Sequence, residues 1–424
     1  MIEVKKYDKG KIILLCGVFL VMTGFGMTLP VLPFYIEKIL SSRDISSNTV
    51  SLHIGLITGA FPLTQFLFSS YIGSVSDKVG RRPLILIGIA GFSIATFIFS
   101  LGESPALLYI SRLIAGIFTA SFVTASGAYI ADRTPIEKRG KSFSILNGVA
   151  GLGAVTGHLL GNLFSNISIH FKFLFTQFTL NNFSSPFIFS SLLTLIVLIL
   201  YFIFLPESLQ FSSKTIDESA TKTKISFIPN FKSLKKAFIL LLALSFFGQL
   251  AHSMFEGTFA IHSQRFFLFG PKQMSIVLII CGLLMGLLQL GPIAWLIEKK
   301  GEKALLPFGC LFLSIGLFML TVSREMGWIL FYVSFISVGI AILTPSLTSL
   351  VTKDSGKEYG TSLGIFSAVN SLGQVAGVVM GGIIMIWSDH LAYWIVATIL
   401  IMFAIILRSA GYSRGNDEQE SKSA

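Results

Sequence analysis

The sequence predicts an all-α membrane protein with twelve transmembrane helices in two pseudo-symmetric six-helix bundles. Three observations carry this reading. Of 424 residues, 53% are hydrophobic and only 12% charged, whereas soluble domains carry about 25% charged residues. The apolar residues gather in long continuous runs, and the second half repeats features of the first at a nearly constant offset. So few charges cannot coat a water-soluble fold of this length, which leaves a lipid bilayer as the expected solvent.

A spanning helix needs about 20 apolar residues to cross roughly 30 Å of hydrocarbon. Twelve runs meet this need: 12–36, 53–72, 83–101, 107–131, 141–164, 184–205, 237–262, 273–297, 303–322, 327–351, 360–386 and 390–409. Their continuity excludes a β-barrel, whose strands alternate apolar and polar residues. The first run is too long for a signal-peptide core and lacks a small-residue cleavage site, so it is expected to remain as a helix. Between the sixth and seventh runs, residues 206–236 are polar and contain Lys214, Lys222, Lys224, Lys232, Lys235 and Lys236. This linker separates an N-terminal bundle, 1–205, from a C-terminal one, 237–424.

Of the 32 Lys and Arg residues, 25 fall in both tails and in alternate connections; six fall in the other connections and Arg112 lies within a span. The positive-inside rule then places both termini and the linker in the cytoplasm, as in a multi-pass protein of the plasma or inner membrane. The same asymmetry accounts for the net charge of +11 without a nucleic-acid partner. Cys16, Cys281 and Cys310 all sit in apolar runs without framework spacing, which argues against disulfides and against a cysteine metal site. Gly140-Lys141-Ser142 ends like a phosphate loop, but Pro135 stands where the first glycine is required. Enzyme motifs are otherwise lacking, so no enzyme, metal or cofactor is expected.

The internal repeat is specific. Gly140, Ser142, Ile145, Gly153, Val155, Gly157 and Gly161 reappear as Gly360, Ser362, Ile365, Gly373, Val375, Gly377 and Gly381, each 220 residues on. Gln65 is matched by Gln289, and the loop Asp77, Gly80, Arg81 by Glu298, Gly301, Glu302. Paired repeats of this kind place a binding site near the bilayer midplane, exposed alternately to each side.

The loop Gly73-Ser-Val-Ser-Asp77-Lys78-Val-Gly80-Arg81-Arg82-Pro83 resembles the signature loop of the major facilitator superfamily. Gly24-Phe-Gly26-Met-Thr-Leu-Pro30-Val-Leu-Pro33, Arg112 with Gly127-Ala-Tyr129-Ile-Ala-Asp132, and Leu205-Pro206-Glu207-Ser208 are similar to segments of its drug and proton antiporter branch, as in tetracycline and multidrug exporters. The resemblance covers Met1 to Ser208 best, and the second half mainly through its seventh, eighth and eleventh spans. It implies a proton-coupled exporter of a small amphipathic compound. Its partners would be that compound, protons and the bilayer, and it would act as a monomer. The alternatives are a symporter or facilitator for a metabolite, a lipid flippase, and a sensor on the same scaffold. Two departures bear on the inference. The fifth span has His158 and Asn162 where the antiporter motif has proline and glycine, and Val21 and Ala95 stand where tetracycline exporters carry acids, which makes tetracycline an unexpected cargo.

Candidate gate residues are Gly73, Asp77, Gly80, Arg81 and Asp132. Gly80 can supply a conformation other residues resist, and Asp77 can lie against the start of the eleventh span. Arg81 can then pair with Asp132. The alternative is that these loop cations only set orientation. Gln249, His252 and Glu256 share one face of the seventh span, and a carboxylate at bilayer depth usually serves function. A similar acid occurs in the seventh span of multidrug exporters. Candidates for proton coupling are therefore Glu256, His252, His158 and Arg112, with a static ion pair as the alternative for Glu256 and a helix-contact role for His158. Phe25, Gln65, Asn147, Gln249, Gln289, Asn370 and Gln374 are candidates for a substrate cavity.

Overall fold

The computed structural model describes residues 9–28, 31–41, 47–102, 104–164, 169–173, 176–180, 184–209, 236–263, 266, 271–322, 324–354, 358–385, 387–388 and 390–409. The linker predicted over 206–236 lies outside these except at its two ends.

The apolar runs form helices. In the first half these are α1 (Lys9–Thr28), α2 (Leu32–Ser41), α3 (Ser47–Val79), α4 (Arg81–Ser100), α5 (Pro105–Asp132), α6 (Arg139–Phe164) and α7 (Ser185–Phe204). In the second half they are α8 (Lys236–His262), α9 (Pro271–Leu290), α10 (Pro292–Lys300), α11 (Glu302–Met319), α12 (Met326–Asp354), α13 (Tyr359–Ile384) and α14 (Leu391–Ser409). The first predicted span is thus divided into α1 and α2. The eighth is divided into α9 and α10, bent by 43° at Pro292, which has no N–H to donate back into the preceding turn. Among the described residues, ten helices are long and apolar enough to cross a bilayer, and the bent pair makes an eleventh. The 33-residue α3 matches the predicted second span, but Thr64, Gln65, Ser69, Ser70, Ser74 and Ser76 lower its apolarity. One feature is not helical: Ile169–Phe173 (β1) and Thr176–Leu180 (β2) form an antiparallel hairpin between α6 and α7, with Phe171 opposite Phe178.

Packing divides the chain into two units. One comprises Met1–Arg133, Gly153–Pro229 and Glu358–Gly364; the other comprises Thr134–Leu152, Asn230–Lys357 and Ile365–Ala424. In the first, α4 packs against α5 and α7, α3 against α5, and α1 against α7. In the second, α11 packs against α12 and α14, α9 against α12, and α8 against α14. Shifted by one repeat these are the same pairs, so the duplication legible in sequence is present in the packing. α6 is divided between Leu152 and Gly153, about its middle, and α13 between Gly364 and Ile365, near its start. Tyr35, Ile36, Phe99, Leu108 and Phe187 anchor an aromatic core in the first unit. Leu306, Leu313, Val333, Ile336, Tyr393 and Leu400 belong to that of the second. Phe202, Ile203 and Phe204 on α7 are 67%, 62% and 58% exposed, a surface that only a hydrocarbon solvent satisfies.

The repeated glycines explain two helix contacts. On α6, a Cβ at Gly153, Gly157 or Gly161 would meet the carbonyl oxygens of Phe19, Thr23 and Met27 on α1. On α13, a Cβ at Gly373 or Gly377 would meet those of Phe246 and Leu250 on α8, and one at Gly381 the Met254 side chain. Small residues one turn apart let backbones approach this closely, which is how helices associate where no hydrophobic effect drives them.

Candidate functional site

The α3–α4 connection is a single residue. Gly80 has φ 111°, a region that glycine alone enters without strain, and its N–H closes α3 on the carbonyl of Ser76 at 3.2 Å. The turn brings Arg81 back against α3 and α5. Arg81 is fully buried; its Nη1 lies 2.7 Å from Asp77 Oδ1 and its Nε donates to Asp132 Oδ2 at 3.0 Å. A buried guanidinium between two carboxylates is held by charge-assisted hydrogen bonds that water cannot replace.

Asp77 has a second set of partners. Its Oδ1 accepts from the backbone N–H of Gly360 at 2.9 Å, and its Oδ2 from the N–H and the hydroxyl of Thr361, both at 2.7 Å. These are the unsatisfied donors at the start of α13, where the helix dipole favours an anion. A Cβ at Gly73 would overlap the carbonyl of Gly360, and one at Gly360 that of Gly73. The gate candidates Gly73, Asp77, Gly80, Arg81 and Asp132 therefore form one connected cluster, which ties α3 to α5 and to the first turn of α13.

The second unit holds a counterpart. Gly301 between α10 and α11 has φ 79°, and Gly80 and Gly301 are the positive-φ glycines among the described residues. The next residue, Glu302, accepts from Lys353 Nζ at 2.6 Å and from the Ser349 hydroxyl at 2.7 Å. Glu302 and Lys353 lie 221 residues beyond Arg81 and Asp132. Glu298, which corresponds to Asp77, pairs with Lys141 at the start of α6 at 2.7 Å. Both members of that pair are 43% exposed, so it is the weaker partner of the Asp77 contact.

Within the bilayer-length helices, His252 Nε2 lies 3.3 Å from Glu256 Oε1 on α8; the Glu256 side chain is 56% exposed and that of His252 18%. One turn back, Gln249 and His252 line a small recess in the second unit with Ser245, Thr344 and Asn370. The Ser245 hydroxyl donates to Asn370 Oδ1. Three sequence-selected residues thus meet here, whereas Gln374, half-buried on the same helix as Asn370, does not line the recess. In the same unit Gln289 is buried, with its Oε1 unpartnered, and Asn147 is half-buried, with its Nδ2 unpartnered. In the first unit, Phe25 packs 5.5 Å from Phe61 and 6.2 Å from Phe92, and Gln65 is buried on α3. His158 bonds through Nδ1 to the carbonyl of Ala154 at 2.7 Å, so that nitrogen carries the proton. Arg112 is buried on α5, its guanidinium 4.5 Å from the Phe99 ring and 5.9 Å from that of Phe187.

Sequence reasoning passed over several members of the α3–α4 cluster. The Glu207 carboxylate caps α4, accepting from the N–H groups of Arg81 and Arg82 at 3.0 and 3.1 Å. Ser208 donates to Asp132 Oδ2 at 2.8 Å, and Arg133 Nη2 donates to the carbonyl of Glu207 at 3.1 Å. Arg139, buried at the start of α6, donates to the carbonyl of Thr352 near the end of α12 at 2.9 Å. The signal for Lys353 was available, since applying the loop's offset of 221 to Asp132 points to it. For Glu207 the signal was its place in the conspicuous Leu205-Pro206-Glu207-Ser208 run after the sixth span.

Comparison with known proteins supplies the family. The Major Facilitator Superfamily model matches residues 14–362. "Multidrug resistance protein 2" of Bacillus subtilis (strain 168) is 27% identical over 392 residues, 92% of this chain and 92% of that protein. "Quinolone resistance protein NorA" of Staphylococcus aureus (strain COL) is 24% identical over 379 residues, 88% of this chain and 89% of that one. Among solved structures, the human organic anion transporter MFSD10 (TETRAN) superposes with a TM-score of 0.79 at 21% identity, covering 94% of this chain and 99% of that one. This last likeness concerns the fold.

Proposed function

The chain belongs to the Major Facilitator Superfamily, and on that premise we propose that it is a secondary active exporter of a small amphipathic organic compound, driven by inward proton flow. Its relatives are named for drug resistance, which supports efflux. The observation that carries the coupling is the His252–Glu256 pair at 3.3 Å beside a polar recess. A half-exposed carboxylate within an apolar helix can exchange a proton, and an adjacent imidazole can hold its charged form. Each charge crossing 100 mV supplies about 2.3 kcal/mol to the cycle.

In this reading Glu256, His252, His158 and Arg112 serve proton coupling. Gly73, Asp77, Gly80, Arg81 and Asp132 latch the cytoplasmic side, and the amide and aromatic candidates Phe25, Gln65, Asn147, Gln249, Gln289, Asn370 and Gln374 line the substrate route. The protein works as a monomer in the plasma membrane with both termini in the cytoplasm, an orientation supported by the 25 to 6 split of basic residues.

Proteoliposomes with an imposed pH gradient test this, using rhodamine 6G and then a panel of amphipathic dyes. Dye and protons should move in opposite directions, and Glu256→Gln should abolish the coupled proton movement. Dye flux indifferent to the gradient would overturn antiport; full coupling in Glu256→Gln would overturn the role of that acid.

A further inference from the structure

Among the described residues, none supplies a counter-charge to Arg112. It is 6% exposed, yet among the described residues its Nε has no hydrogen-bond partner and no carboxylate contacts it. Its guanidinium rests on the Phe99 and Phe187 rings, which pack against each other at a tilt with centroids 4.6 Å apart. Ring faces attract a cation but supply no counter-charge. Buried charges are ordinarily paired, because desolvation without compensation is expensive.

The side chain borders a recess. Arg112 lines it together with Thr28, Thr96 and Ser111, with Phe99 and Phe187 on the wall, and no acidic residue takes part. Its free core has room for about one water-sized group. The hydroxyls of Thr28, Thr96 and Ser111 donate to the carbonyls of Phe25, Phe92 and Leu108 on their own helices, at 2.8, 2.7 and 3.0 Å. Those are local bonds that a rotating hydroxyl can exchange for a better acceptor. A cationic fork, three rotatable hydroxyls, aromatic walls and a single-group cavity suit one small monovalent anion.

We propose that the Arg112 recess in the first unit is an anion-binding site, taking the carboxylate head of an amphipathic cargo or a halide of similar size. The site stands on this geometry alone; only its role as a cargo subsite rests on the exporter reading. Arg112 Nε–H is the donor offered to the anion.

The test uses the full-length protein in lipid nanodiscs, with thermal unfolding followed at constant ionic strength and a bulky sulfonate as background anion. Benzoate is compared with benzamide, its uncharged isostere, and chloride is titrated separately. An anion that binds the folded state raises Tm saturably. Benzoate, chloride or both should half-saturate at a concentration at least tenfold below that of benzamide, and Arg112→Met should lose this preference. Competition between chloride and benzoate assigns the site to small monoanions in general; a response to benzoate alone assigns it to carboxylate cargo. Equal responses to benzoate and benzamide together with no response to chloride, or no response to either anion, overturn the proposal without recourse to a variant. An anion response without proton-coupled efflux would overturn the exporter reading and leave the site. Efflux without an anion response would do the reverse.

Discussion

Arg81 and Glu302 occupy the same place in their respective repeats and carry opposite charge. Each directly follows a positive-φ glycine, and each meets a partner near the end of the next helix: Asp132 at 3.0 Å and Lys353 at 2.6 Å. The duplicated fold has kept the position of the ion pair and reversed its sign. The two pairs differ in burial, since Arg81 is fully enclosed while Lys353 is 25% exposed. Asp132→Asn should therefore destabilise the protein by about 1.5 to 3 kcal/mol, the cost of one charge-assisted hydrogen bond, because Arg81 keeps its pair with Asp77. Lys353→Met should cost less. Thermal unfolding in detergent, with both variants side by side, checks the order.

Asp77→Ala should free the start of α13. The variant loses three hydrogen bonds to Gly360 and Thr361, so the amides of these two residues should exchange with deuterium at least tenfold faster. About 1.4 kcal/mol of lost protection suffices for that factor. Peptides from the middle of α12 should exchange unchanged, and a uniform rise across the protein would count against a local latch.

Lys141→Ala should be nearly silent. Its bond to Glu298 joins two side chains that are each 43% exposed, and pairs of this kind contribute about 0.2 to 1 kcal/mol, less at high salt. A loss above 2 kcal/mol in 0.15 M salt would show that the exposed contact had been undervalued.

Glu207→Ala should weaken the start of α4. The carboxylate satisfies two otherwise unpaired N–H groups there, and removing such a cap costs about 0.5 to 2 kcal/mol. Glu207→Gln should retain part of this, because one amide oxygen can still accept. Denaturation midpoints of both variants test the order.

Gly157→Ala and Gly59→Ala should differ sharply. An added Cβ at Gly157 meets the carbonyl of Thr23, while at Gly59 it meets nothing within 4 Å. Overpacking typically costs about 1 to 3 kcal/mol, whereas alanine in an open helical position is neutral or slightly stabilising. Melting temperatures of the two variants provide the comparison.

Much of this was legible in the sequence because the bilayer imposes a simple demand. Every spanning backbone must satisfy its own hydrogen bonds, so apolar runs of about 20 residues can only be helices. The runs predicted α4 to α8 and α11 to α14 closely, while α3 extends six residues before and seven beyond its run. The breaks were less visible: α9 and α10 read as one run because Pro292 interrupts hydrogen bonding, not hydropathy. The β1–β2 hairpin was invisible because it lies between apolar runs, where periodicity gives no signal. In the candidate site, Arg81 with Asp132 and Asp77 with the start of α13 followed from residue type and loop length. Glu207 did not, since a residue beyond the last turn of α7 reaches α4 only through tertiary packing. Lys353 could have been found by applying the loop's offset of 221 to Asp132 as well.

The reversed ion pair has a consequence for how a duplicated chain sorts its own parts. Two similar bundles emerging in succession present similar loops to similar helix ends, an invitation to assemble with the wrong member. Here the wrong match is repelled: Arg81 would confront Lys353, and Glu302 would confront Asp132. Like charges brought together in a low-dielectric setting penalise that exchange, so each bundle closes on itself.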